Sequence, residues 1–274
     1  MQRLYNLSDD QTEYQINDRM SFMRFLGINL CEKVPDAKTI WKFKNDLAET
    51  ETVDKLFCMF DEHLENKGLI SHKGTIVDAT FVDAPRQRNS RDENKKIKNG
   101  VIPEEWEKPE NKSKLAQKDI DADWTKKNGE RHFGYKDHVK CDADSKLITN
   151  YSVTSASVHD SQRCLVFIGQ EDEVLYADSA YSGKPIALAL PENCKNQICE
   201  KGYRNSPLTS EQKMNNRRKS RIRCRIEHIF GFITGAMHGI TVRSIGITRA
   251  WMNIGITNLV YNFCRYSYLK RASA

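Results

Sequence analysis

The chain has 274 residues and a mass of 31.7 kDa, enough for one large domain or a domain with a small appendage at roughly 150 residues per domain. Hydrophobic residues make up 39% and charged residues 29%, a globular balance that excludes disordered and fibrous classes, and no apolar run reaches the roughly 18 residues of a membrane-spanning helix. The 43 Lys and Arg against 37 Asp and Glu leave a net charge of +6, and the segment 213–225, KMNNRRKSRIRCR, carries +7 with no acid. The positive charge is therefore local, and a one-sign run of this density reads as a polyanion-binding surface or as a solvated helix face.

The start MQRLYNLSDDQTEYQ has no basic opening followed by an apolar stretch, which excludes a secretory signal. Of eight cysteines only Cys194 and Cys199 lie close together, with no second pair and no His-x(3–5)-His, so a zinc site is not expected. Reduced cytosolic thiols are the default.

Residues 1–65 read as helices. SFMRFLGINL, TIWKFKNDLAE and VDKLFCMFDEHLENKG place apolar residues at three- and four-residue spacing. The segment 74–84, GTIVDATFVDA, is a β-branched strand bounded by Gly74 and Pro85 and expected to be buried on both faces. Residues 85–130 are highly charged and predict a mobile insertion too polar to pack a core, with Trp124 of DADWTKK anchoring its return. The segment 132–157 predicts a hairpin turning at Asp142-Ala143-Asp144-Ser145. A helix over 158–169, a strand in EVLYADSAYSG, a short helix in KPIALALPEN and a short strand in NQICEKG follow. From Ser210 the pattern predicts one long helix, SEQKMNNRRKSRIRCRIEHIFGFITGAM, and a final helix covers about 249–268. This order predicts an α/β fold, a ribonuclease-H-like mixed sheet flanked by helices, with a small helical N-terminal region.

Three carboxylates stand out. Asp78 lies inside the apolar IVDATFV, where a carboxylate is costly unless paired, hydrogen-bonded or bound to metal; a turn-capping role is the alternative. Asp83, five residues on, belongs to the other face of the strand. Asp178 ends the strand VLYAD, where α/β sheets gather ligands; an Asx-turn is the alternative. Glu227 sits on a helix four residues after Arg223, so a surface ion pair is the bland reading. Together they form a set suited to two divalent cations holding the attacking and leaving oxygens of a phosphoryl displacement. His159-Asp160 reads mainly as a helix cap, with catalytic orientation as the alternative. Lys136 and His138 alternate with Gly134 along one strand face, either facing solvent or contacting phosphate. Ser179 and Cys224 have no visible base partner.

VDATFVDA, HFGYKDHVKCD, ASVHDS, YADSAYSG and the long block RCRIEHIFGFITGAMHGITVRSIGITRAWMNIGITNLVYNFCRY resemble the DDE transposases of bacterial insertion sequences, and among these the insertion-sequence-five family. NLSDDQTEYQINDRMSFMRFLGINLCEKVPDAKTIWKFKNDL resembles their N-terminal segment. The resemblance implies a catalytic domain over 71–274, with the charged insertion at about 85–130, and a helical region over 1–70 suited to binding element ends. It implies Asp78, Asp178 and Glu227 as catalytic metal ligands with Arg223 beside them, and Mg²⁺ as cofactor, two ions, with Mn²⁺ as a substitute. The charge run 213–225 then offers Lys213, Arg217, Arg218, Lys219, Arg221 and Arg225 as the DNA-contacting strip. The resemblance also implies double-stranded DNA as partner, both element end and target, with no membrane, a homo-oligomer on DNA, and a cytoplasmic, nucleoid-associated location. Rival readings are a nuclease without strand transfer and a decayed DNA-binding copy. Two departures are visible. Many related enzymes carry a tyrosine seven residues before the glutamate and a lysine seven after, where this chain has Ser220 and Thr234. The chain also begins close to the first recognisable block, and a shortened N-terminus is the expectation there.

Overall fold

The computed structural model describes residues 1–127 and 129–272. Four helices open the chain: α1 (Asp9–Asp18), α2 (Met20–Leu26), α3 (Ala37–Glu49) and α4 (Thr52–Asn66). The first is nucleated by a capping box in which the Ser8 side chain takes the Gln11 backbone N–H and the Gln11 side chain returns to Ser8. Strand β1 (Thr75–Asp83) follows, then the insertion with α5 (Arg91–Lys98), α6 (Glu104–Glu107), α7 (Lys112–Leu115) and β2 (Asp123–Lys127). Next come β3 (Glu130–Asp142), β4 (Ile148–Ser155), α8 (Ser161–Phe167), β5 (Val174–Tyr176), α9 (Lys184–Ala189), β6 (Lys195–Asn196), α10 (Ser210–Arg223), α11 (Arg225–Gly235) and α12 (Ile247–Ala272).

One mixed sheet organises these elements. Along it run β2, β3, β1, β5 and β6, with β4 also on β3. β1 and β4 both pair antiparallel with the body of β3, so they occupy its opposite edges. β2 continues the β4 edge along Glu130–Gly134. β5 lies parallel to β1, and β6 parallel to β5. Gly134 stands where β1 and β2 flank β3, at φ +145°, and a side chain there would press against the Ala84 amide at 2.7 Å.

Alternation along β1 assigns the two faces. Ile76 and Val82 pack with Val139, Ile226, Ile229 and Ile254, beneath α11 and α12. Val77 turns the other way to Cys164, Phe167 and Ile186 of α8 and α9. The expected burial on both faces holds for Thr75–Val77 and Val82; Asp78–Phe81 between them are half-buried, where the strand opens.

Four expectations need correction. The insertion does pack: Trp106 is fully buried, with its indole N–H on Glu93 at 2.8 Å and the ammonium groups of Lys114 and Lys118 over its ring. The single long helix breaks at Cys224 into α10 and α11, and its cap is Thr209 rather than Ser210. The polar face of β3 is not exposed: Lys136, His138 and Lys140 are buried, each against its own partner, Asp160 at 2.7 Å, the Thr154 hydroxyl at 2.8 Å and Asp172 at 2.8 Å. Burial pushes His138 down to about 4, so its ring is neutral. Asp160 is consequently spent on Lys136, and its side chain makes no capping bond to α8; the neighbouring His159 ring accepts from the Ser161 amide at 3.3 Å instead.

Candidate active site

The β-branched run of β1 carries Asp78 into the sheet on the α11 side, because it shares the parity of Ile76. β1 and β5 pair in parallel as far as Ile76 and Tyr176. Two residues beyond that last pair come Asp78, still within β1, and Asp178, just past the end of β5. Asp178 then caps a 3-10 turn at Ser179–Tyr181 by accepting from the Ala180 amide at 2.7 Å. Its Asx-turn role and its strand-end position are thus both present.

Asp78 accepts from the Ala79 amide at 2.8 Å and from Arg223 Nη1 at 2.8 Å. The second arm of the same guanidinium, Nη2, donates to Glu227 Oε1 at 3.0 Å. Arg223 ends α10 and Glu227 lies in the first turn of α11, so the break at Cys224 falls between them. Arg223 therefore links Asp78 and Glu227, the surface ion pair of the bland reading with a buried carboxylate added. Glu227 itself is 60% exposed. Burial raises the Asp78 carboxyl to about 6; the Ala79 amide, Arg223 and Lys127 pull it down, and Asp178 pushes it up. Asp83 stands apart, with His132 at 3.8 Å.

Tyr181 escaped the sequence reading. It is 1% exposed, and its hydroxyl has no partner among the described residues. Burial raises its pKa, and the negative charges of Asp78, Asp160 and Asp178 raise it further. An aromatic in a turn after a strand reads as core, so only the tertiary setting exposes this hydroxyl as a group near acids.

The basic strip divides on the structure. Lys213, Arg217, Arg218 and Arg221 are exposed on α10. Three of them, Lys213, Arg217 and Arg221, line a groove of about 600 Å³ together with Ser220. Lys219 instead donates to the Ile198 carbonyl at 2.9 Å. Arg225 donates to the Ala143 carbonyl at 2.8 Å and lies 2.9 Å from Asp144, tying α11 to the β3–β4 turn. Thr234 bonds back to the Phe230 carbonyl at 2.8 Å within its own helix.

The donor chemistry fits a hard divalent cation at the two aspartates: both offer carboxylate oxygens, and the charge of Asp178 raises the Asp78 carboxyl. In this arrangement Glu227 is joined to them only through the guanidinium. Among the described residues no three of His, Cys, Asp and Glu converge as ligands.

Acidic strand ends beside a basic helix, on a mixed sheet covered by helices, define an enzyme that works on a polyanion. Residues 70–263 match the family described as Transposase DDE domain, and residues 1–46 match a further model described as Transposase domain. The chain belongs to the DDE transposase family: it is an enzyme that acts on DNA, and its fold is ribonuclease-H-like. No solved structure gives a significant match. Members of the family use divalent metal ions. None of the helices in the described residues is long and apolar enough to cross a membrane.

Proposed function

We propose that this transposase cuts the ends of an insertion sequence of the insertion-sequence-five type and joins the freed 3′-hydroxyl to target DNA. Asp78, Asp178 and Glu227 are its catalytic carboxylates. The observation that carries this reading is the placement of Asp78 and Asp178 each two residues past the last β1–β5 pair, with Arg223 linking Asp78 to Glu227. Two Mg²⁺ ions, when bound, would supply the charge that activates water and steadies the leaving oxygen. The aspartates hold that charge at a fixed point of a rigid sheet. Arg223 keeps Glu227 within reach of Asp78 and adds a cation close to the phosphate being displaced. Lys213, Arg217, Arg218 and Arg221 bind the DNA backbone and hold it against the carboxylates. A homo-oligomer assembled on DNA brings two ends together.

Asp78→Asn, Asp178→Asn and Glu227→Gln are each expected to abolish Mg²⁺-dependent nicking and joining while leaving DNA binding intact, because removing negative charge does not repel phosphate. Mn²⁺ substitutes for Mg²⁺, and Ca²⁺ binds without supporting turnover. The decisive assay offers pre-cut ends and a plasmid: joined products support transposition, and cutting without joining identifies a nuclease. Near-normal nicking by Asp178→Asn would remove that residue from the site.

A further inference from the structure

The insertion forms a second concave surface that the carboxylate site does not use. A groove of about 520 Å³ lies between α5 and β2. Arg91, Lys126 and Arg131 line it, and all three are exposed. Among the described residues none of the three is in an ion pair, and no carboxylate lines the groove. The remaining wall is amide and aromatic. Gln87 contributes a side-chain amide, and Asn94 and Trp124 lie beside it. Cations with amides at hydrogen-bonding positions are the groups that hold a sugar-phosphate backbone.

β3 joins the groove to the site, since it pairs with β2 on one edge and with β1 on the other. Phe81 lies three residues after Asp78 on β1, roughly 10 Å along the strand, and turns to the opposite face. His132 stacks on Phe81 at 4.2 Å, and the Lys127 ammonium stands 5.5 Å from the same ring. His132 pairs with Thr125, and Arg131 with Lys126, at the groove itself. Cationic side chains therefore flank the β2–β3 ladder on both of its faces.

We propose that this groove is a second DNA-backbone site, separate from the tract on α10, which holds the duplex adjoining the phosphate that is cut. The proposal rests on the DNA-cutting reading above and extends it to a segment that would otherwise be only an insertion. Contacts of this kind are independent of base sequence, so any duplex reports them. Each neutralised phosphate releases counterion, which fixes the slope of log affinity against log salt.

The test is a salt titration of binding with a fluorescent duplex of arbitrary sequence. Arg91→Ala, Lys126→Ala and Arg131→Ala are each expected to flatten the slope by about one unit. Arg131→Lys keeps the wild-type slope, because the charge remains. Lys195→Ala, at the opposite edge of the sheet, leaves the slope unchanged. Adding Arg217→Ala and Arg221→Ala to the triple variant flattens it further, as two separate tracts require. Circular dichroism checks that the variants stay folded. If the folded triple variant keeps the wild-type slope while the wild type binds and nicks DNA, the groove proposal falls and the catalytic reading stands. If the wild type shows no salt-dependent binding, both fall.

Discussion

Asp137 is a carboxylate buried in the middle of β3, against α12. Asn258 Nδ2 donates to one of its oxygens at 3.2 Å, while Asp137 Oδ2 and Asn258 Oδ1 have no partner among the described residues. A proton on Asp137 would satisfy both by donating to the asparagine oxygen. Burial raises the group to about 8, against which the Asn258 bond is a smaller opposing effect. The unfolded chain titrates the same carboxyl near 3.9. Between about pH 4 and pH 8 the native state thus holds a proton that the unfolded state has lost, and stability declines with rising pH across that window. Asp137→Asn supplies the donor permanently. The expected outcome is a variant increasingly more stable than wild type as pH rises from about 4 to 8, with little difference at the acid end. Melting temperatures over a pH series check it, and an equal offset at every pH would show that the carboxyl is not the cause.

The break between α10 and α11 separates residues that the sequence groups together. Arg217 and Arg221 share the exposed face of α10, Arg223 turns to Asp78 and Glu227, and Arg225 reaches the β3–β4 turn. Three different outcomes are expected in parallel assays. Arg217→Ala and Arg221→Ala each flatten the salt slope of DNA binding by about one unit. Arg223→Ala impairs nicking more than affinity. Arg225→Ala lowers the melting temperature and leaves the slope unchanged, since its contacts are to Ala143 and Asp144. A matching loss of affinity in all four would restore the undivided strip. The sequence shows the strip but not the division, because nothing at Cys224 breaks a helix by itself: no Gly or Pro is present, and the helical spacing of Ile226 and Ile229 continues. What was legible rests on local pattern. β1, the β3–β4 hairpin and the strand just before Asp178 all follow from apolar runs and turn residues. The burial of Lys136 and His138 is not legible in the sequence, because they alternate as solvent-facing residues do and their partners Asp160 and Thr154 come from other segments. The insertion was legible in part: Ser90 and Glu93 form a capping box, a signal present in the sequence, whereas the burial of Trp106 beside Glu93 is tertiary.

The N-terminal helices and the catalytic sheet share one core, and α12 is the element that joins them. Phe57 of α4 belongs to the same apolar cluster as Ile76 of β1 and Ile254 of α12, while Val53 packs with Ala48 and Met252. Asp54 of α4 takes hydrogen bonds from the Tyr151 hydroxyl on β4 and from Trp251 Nε1 on α12, the latter at 2.9 Å. Arg3 likewise reaches Asn253 of α12. The first helices are therefore held to the sheet through a polar clamp as well as apolar contact, so a change at the crossing of α12, β4 and α4 reaches both regions. Gly255 occupies that crossing. A methyl group there would overlap the Tyr151 hydroxyl and lie 2.8 Å from its ring carbon Cζ and 2.9 Å from Val53 Cγ1. Tyr151 cannot swing aside without losing Asp54, and Val53 is buried. Gly255→Ala would ordinarily favour a helix interior, but here overpacking outweighs that gain, at a typical cost of 1–3 kcal/mol, about the order expected for a methyl inserted into a filled core. The expected result is a lower melting temperature together with faster amide exchange in both α4 and β4, read by hydrogen–deuterium exchange. Combining Gly255→Ala with Tyr151→Phe, which removes the overlapping hydroxyl, restores part of the loss. A stabilised Gly255→Ala, or exchange confined to α12, would show that the helices and the sheet are not coupled at this crossing.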